Sequence, residues 1–268
     1  MQSYGETIGM NITVHEGDGI LSAPSLLEGI RRLYPLTFST METITIALIG
    51  AGGKTTCLYA LARELKACHK KILIMTTTHM YEPDESIFSG MDEEKTAALL
   101  DTSGIAAIGK RCGNGKITYV GDAVYERMKR KADIILVEAD GSRRLPIKVC
   151  GAHEPVLPQP CHLILALAGL SALGKELKDV CFRADEADVL LSAEDRFEAY
   201  RETNIVDMDV FTALFRQGVI KKVSPLSIPI IPVLNQADTV AKRIAADMML
   251  QDLGLWGLST SFLSKEDR

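Results

Sequence analysis

No stretch of the 268 residues approaches the run of about 20 apolar residues that a helix needs to cross a bilayer. Residues 1–19 also lack the basic-then-apolar shape of a secretory leader. These two absences predict a cytoplasmic protein that does not engage membranes. A basic excess is missing too, since the formal net charge is −5. Nucleic-acid binders usually carry a basic face or tail, so no nucleic-acid partner is expected. The short basic run Arg127–Lys131 reads as a solvated helix end. The six cysteines, at 57, 68, 112, 150, 161 and 181, never form Cys-x-x-Cys. That spacing argues against a zinc ribbon or a thioredoxin-like pair and leaves free thiols as the expectation. Internal repeats and low-complexity tracts are lacking as well.

What is present suits one large α/β domain with a modest appendage, at 47% hydrophobic and 24% charged residues. Ser22-Ala23-Pro24-Ser25 followed by Leu26, Leu27, Ile30 and Leu33 predicts a short capped amphipathic helix. From residue 43 short β-branched runs alternate with helical periodicity. Buried strands are expected over Thr43–Ile49, Lys71–Met75, Ile134–Val137, Leu163–Leu167 and Ile228–Leu234. Ile105–Ile108 and Lys116–Val120, joined through Gly109–Gly115, read as an inserted hairpin. A helix over Ala241–Leu250 and an extended stretch near Leu258–Phe262 close the chain. Short apolar runs alternating with helices imply a mostly parallel sheet covered on both faces. Most polar clusters follow a run directly, which gathers them at the carboxyl edge of the sheet, where ligands of open α/β sheets bind.

The first cluster is Gly50-Ala51-Gly52-Gly53-Lys54-Thr55-Thr56, between a strand and a helix. Glycines there let backbone N–H groups wrap a phosphate, and the helix adds its positive end. Lys54 would lie near the terminal phosphates, and the Thr55 hydroxyl would hold Mg²⁺ through a hard oxygen. The full spacing asks for another glycine at position 48, which is leucine. The shortened form is similar to that of Mur ligases. A turn whose glycines serve only close packing is the competing reading.

The second cluster, Glu138-Ala139-Asp140-Gly141, looks like a Walker B strand end, with Asp140 favoured over Glu138 as the metal-proximal carboxylate. The third, Asn235-Gln236-Ala237-Asp238, resembles the Asn-Lys-x-Asp element that reads guanine, with glutamine in place of lysine. Its alternative is an ordinary loop with Asp238 as helix N-cap. Arg143, Arg144 and Lys148 follow the acidic cluster and suit an anionic substrate or charge developing on a transferred phosphoryl group. His79, after three threonines, is a candidate base beside the γ-phosphate or simply a strand-end residue.

These elements in this order resemble the YqeC family, accessory proteins of selenium-dependent molybdenum hydroxylases. The likeness rests on the glycine-rich loop, Thr76-Thr77-Thr78-His79, Val137–Arg143, Leu145–Lys148, His153–Pro158 and Val233–Asp238. It implies a three-layer P-loop NTPase-like fold. It also implies a role in maturing the hydroxylase or making a selenium-containing cofactor. The expected layout is an N-terminal extension over 1–40, a P-loop nucleotide-binding domain over 41–254 and a C-terminal tail over 255–268. The expected activity is slow, Mg²⁺-dependent NTP hydrolysis, with GTP weakly favoured over ATP. Two rivals stay open: a Mur-like ligase or small-molecule kinase, and a nucleotide-gated cargo-delivery protein.

Overall fold

The computed structural model describes residues 9–17, 19–34 and 42–263, so the first residues of the expected extension and the last of the tail lie outside the described residues. Nine strands form the main sheet, in the order β2-β1-β14-β13-β11-β3-β9-β4-β6. Their spans are β1 Gly9–Glu16, β2 Gly19–Ala23, β3 Ile44–Gly50, β4 Ile72–Thr76, β6 Ile105–Ala107, β9 Ile134–Glu138, β11 Leu163–Gly169, β13 Ile230–Asn235 and β14 Gly257–Leu263. The seven from β14 to β6 run parallel; β1 and β2 are antiparallel. The fold is α/β, with a large, mostly parallel sheet between helical layers, consistent with a three-layer P-loop NTPase-like architecture.

Alternation along each strand splits the core in two. Ile46, Leu48, Ile72, Ile74, Leu136 and Leu165 face one layer, and Ala47, Ile49, Leu73, Met75, Val137 and Ala166 face the other. On the first side lie α1 (Leu26–Leu33) and α2 (Lys54–Ala67). Leu58, Leu61 and Leu65 of α2 are fully buried, each contributing about 1.5–3 kcal/mol relative to exposure. Opposite lie α3 (Glu93–Ser103), α4 (Asp122–Lys129) and the helices Met208–Phe215 and Val240–Leu253.

Residues on both sides of the expected domain boundaries share this one sheet. β1 pairs along its length with β14, from Gly9 opposite Leu263 to His15 opposite Gly257. Ser25 caps α1 as expected, accepting from Glu28 N, and Glu64 of α2 accepts from the N–H groups of Leu26 and Leu27. Pro232 is tolerated inside β13 because β14 pairs only from Val233 onward.

The inserted hairpin needs correction. Ile105–Ala107, expected as its first strand, is wholly buried and joins β4 at the edge of the main sheet. The hairpin is instead β7 (Lys110–Gly113) with β8 (Lys116–Thr118), and β5 (His79–Tyr81) pairs with β8. Burial on both faces suits a parallel strand, whereas Lys110-Arg111 belongs on an exposed ribbon. Two short strands, β10 (Ile147–Lys148) and β12 (Cys181–Phe182), form a separate parallel pair. No helix among the described residues is long and apolar enough to cross a membrane.

Candidate functional site at the carboxyl edge of the sheet

β3 ends at Gly50 and α2 begins at Lys54, so the glycine-rich loop turns at the carboxyl edge. Gly52 and Gly53 have φ of 74° and 110°. A Cβ on Gly52 would collide with the Gly169 backbone, and one on Gly53 with the Asn235 amide. Close packing against β11 and β13 therefore requires both glycines, whatever else they serve. Gly50 N–H donates to Asp140 Oδ2 at 2.8 Å, Ala51 N–H to Leu167 O at 2.9 Å and Gly52 N–H to Leu145 O at 3.2 Å. Gly53 and then Lys54 and Thr55 at the start of α2 supply the next N–H groups of this corner, at the positive end of the helix.

Behind the loop lies a buried chain of alternating charge. Lys54 Nζ donates to Gly50 O at 2.6 Å and lies 3.1 Å from Asp140 Oδ1. Asp140 is fully buried and meets Lys148 Nζ through Oδ2 at 3.0 Å. Lys148 in turn donates to Glu154 Oε2 at 2.7 Å, and Arg183 Nη1 reaches the same oxygen at 2.6 Å. Burial lowers the Lys148 pKa, but the Asp140 charge and its other acidic neighbours outweigh that and raise it. Burial likewise opposes ionisation of Glu154, yet the hydrogen bonds from Arg183 and Lys148 hold it down to about 2. Cys150 sits 3.8 Å from Asp140 Oδ2, and burial with that charge pushes its thiol up to about 12.

Glu138 occupies a different place. Its Oε2 accepts from the Thr55 hydroxyl at 2.8 Å, at the first turn of α2. Burial raises its pKa, against the opposing pull of Lys54. A buried carboxylate that accepts from a hydroxyl offers, with that hydroxyl, hard oxygen donors of the kind a divalent cation takes. Asp140 Oδ1 is also buried with no aligned hydrogen-bond donor, since Lys54 meets it as an ion pair off the bonding direction. The oxygen donors present therefore fit a hard divalent cation such as Mg²⁺. Among the described residues no cluster of three or more His, Cys, Asp or Glu offers a fuller protein cage.

The other residues singled out by sequence divide into two groups. Asn235 lies beside the loop, its Nδ2 donating to Gly52 O at 2.7 Å and its Oδ1 accepting from Thr260 at 2.9 Å. Asp238 accepts from Ser261 at 2.6 Å and is partly open to solvent. It does not cap the following helix, because Thr239 does so by accepting from Lys242 N. Gln236 points inward instead, its Oε1 3.4 Å from Ser171 N. His79 opens β5 and is exposed, and among the described residues no hydrogen bond or ion pair joins it to Lys54, Glu138 or Asp140. Cys112 is exposed on β7, and its neighbour Arg111 is bonded to Glu82.

Sequence reasoning passed over Arg183, Phe182 and Tyr81. Arg183 lies 4.5 Å from the Phe182 ring centroid, Arg143 5.1 Å from the same ring, and Arg144 4.2 Å from Tyr81. No local signal marked them, since β5 and β12 are three- and two-residue strands brought in by tertiary packing.

The family model described as YqeC protein matches residues 46–185, which span the glycine-rich loop, the acidic cluster and Arg183. A curated relative, the uncharacterized protein YqeC of Escherichia coli (strain K12), is 33% identical over 143 residues, 49% of this chain and 54% of the relative. The match thus spans about half the length of that relative. On the span of the family match, the chain belongs to the YqeC family.

Proposed function

We propose that this chain is a Mg²⁺-dependent nucleoside-triphosphate-binding protein and a slow NTPase. In this reading it is an accessory factor in maturation of a selenium-dependent molybdenum hydroxylase or in synthesis of a selenium cofactor. The observation that carries the nucleotide part is the 2.8 Å Thr55–Glu138 contact at the first turn of α2, beside Lys54. The hydroxylase part rests on the family resemblance of the motifs alone.

Each residue then has a distinct task. The first-turn N–H groups of α2 receive phosphate oxygens. Lys54 leaves Gly50 O to meet the terminal phosphates, guided by the Asp140 carboxylate 3.1 Å from its ammonium. Thr55 and Glu138 hold Mg²⁺, which when bound neutralises charge on the phosphates and orients them. This reverses the sequence-based preference for Asp140 as the metal-proximal carboxylate. Asp140 already answers Lys54, Lys148 and the Gly50 N–H, so it serves as a positioning residue. The half-open carboxylate of Asp238 suits the paired donors of guanine, and Asn235 ties the loop to β13.

The test is binding of GTP and ATP, with and without Mg²⁺, by the wild type and by Thr55→Val, Lys54→Ala and Asp238→Ala. Wild type is expected to bind one nucleotide and to favour GTP over ATP. A preference of about 100-fold or more, equivalent to about 2.7 kcal/mol, would make Asn235 and Asp238 base readers. Thr55→Val should abolish the Mg²⁺ enhancement, and Asp238→Ala should remove most of the GTP preference. A folded wild-type protein that binds neither nucleotide would sink the reading and leave the glycines to packing alone.

A further inference from the structure

Ser142–Leu145 is a tight turn closed by Leu145 N–H donating to Ser142 O at 2.9 Å. Its two central residues, Arg143 and Arg144, have φ of 49° and 65°. Two successive positive φ values mark the turn geometry that favours Asn-Gly, because side chains at such positions are strained. Two arginines there are the opposite of what the turn itself selects. Strained backbone of this kind gathers at ligand-binding sites, where the surroundings over-determine it.

The turn is locked to the glycine-rich loop. Leu145 O accepts from Gly52 N, Pro146 O accepts from Gly169 N at 2.7 Å, and Ser142 Oγ lies 3.4 Å from Lys54 Nζ. From this anchor the two arginines splay apart, Arg143 over Phe182 and Arg144 over Tyr81. Both are exposed, and among the described residues neither meets a carboxylate. A guanidinium stacked by its face keeps its in-plane N–H donors free, in the fork that matches carboxylate or phosphate.

Charge balance points the same way. Lys54, Lys148 and Arg183 are offset by Asp140, Glu154 and Glu138. Arg143 and Arg144 are a surplus of two positive charges on a chain whose net charge is −5.

We infer that the Ser142–Leu145 turn is the binding subsite for a second substrate, a small molecule carrying an oxyanion group, which Arg143 and Arg144 grip beside the nucleotide. The placement beside a nucleotide rests on the function proposed above; the subsite itself rests on the turn. An acceptor oxygen held there would attack the terminal phosphorus of the nucleoside triphosphate, forming a new O–P bond as the bridging P–O bond breaks and nucleoside diphosphate leaves with the electron pair. With the subsite empty, water takes the acceptor's place and phosphate is released.

The test uses the full chain, as wild type and as the double variant Arg143→Asn/Arg144→Gly, saturated with Mg²⁺ and a non-hydrolysable nucleoside triphosphate. Inorganic phosphate and succinate are titrated separately by calorimetry, and each protein's Tm and nucleotide affinity are measured alongside. Asn-Gly relieves the turn, so the variant's Tm should equal or exceed that of the wild type. Its nucleotide affinity should stay within about twofold, and its affinity for whichever oxyanion the wild type binds should fall about tenfold or more. A second variant, Arg143→Lys/Arg144→Lys, keeps the charge without the fork and should bind with intermediate affinity.

Three results would overturn the proposal. Wild type could take up nucleotide but neither oxyanion. The Asn-Gly variant could bind oxyanion as the wild type does. Nucleotide affinity could fall in the same proportion as oxyanion affinity, which would give the arginines to the triphosphate. If instead wild type binds no nucleotide yet binds oxyanion through these arginines, the nucleotide reading fails and the subsite stands.

Discussion

Lys54 Nζ lies 3.1 Å from Asp140 Oδ1, and the two side chains are 2% and 0% exposed. The pair is closed off from solvent; Asp140 also meets Lys148 and the Gly50 N–H through its far oxygen, and Lys54 also acts on the neighbouring Glu138. Buried pairs of this kind add little net stability, but removing one partner strands the other's charge.

Asp140→Ala is therefore expected to cost about 3–5 kcal/mol of folding stability, because buried Lys54 loses its ion-pair partner and Lys148 is left with Glu154. The midpoint of urea unfolding measures it. Asp140→Asn keeps an acceptor for the Gly50 N–H and should cost less. A loss below about 1 kcal/mol for the alanine variant would mean that the network does not hold the loop.

Glu138 predicts the opposite sign. Burial raises its pKa, so at neutral pH its ionised form opposes folding. Glu138→Gln should raise stability by about 1 kcal/mol, or roughly 2–4 °C in Tm. The same variant should lose the Mg²⁺ enhancement of nucleotide binding. A lower Tm would show that Glu138 serves the fold rather than a cation.

Acid titration separates Glu154 from the rest. Its folded pKa is depressed to about 2, chiefly by Arg183 and Lys148 acting against burial. A depressed carboxyl contributes its full stabilisation above its ordinary pKa of 4.5 and loses it as pH falls from there toward about 2. The stability difference between wild type and Glu154→Gln should accordingly be flat above about pH 5 and shrink steadily below it. A difference that is constant with pH would deny the charge pairing with Arg183 and Lys148.

Much of this was legible residue by residue. Ile44–Gly50, Ile72–Thr76 and Ile134–Glu138 are continuous β-branched and apolar runs that only a sheet buried on both faces satisfies. Gly52 and Gly53 announce a turn by conformation, and Lys54-Thr55-Thr56 behind them announces what such a turn can hold. The parallel direction of the strands then brought Glu138, Asn235 and Gly169 to one edge.

The assignment of tasks within that edge was not legible. Glu138 and Asp140 stand two residues apart with the same chemistry, and only their partners, Thr55 for one and Lys54 with Lys148 for the other, tell them apart. Ile105–Ala107 beside β4, β1 beside β14, and Arg183 upon Glu154 depend likewise on partners far along the chain. The sequence by itself determined the buried parallel strands of the central sheet and where the loop turns, because backbone geometry and apolar periodicity act locally. The tertiary structure alone decided which carboxylate meets which ammonium, because burial and Coulomb interaction depend on distances in space that neighbouring residues do not encode.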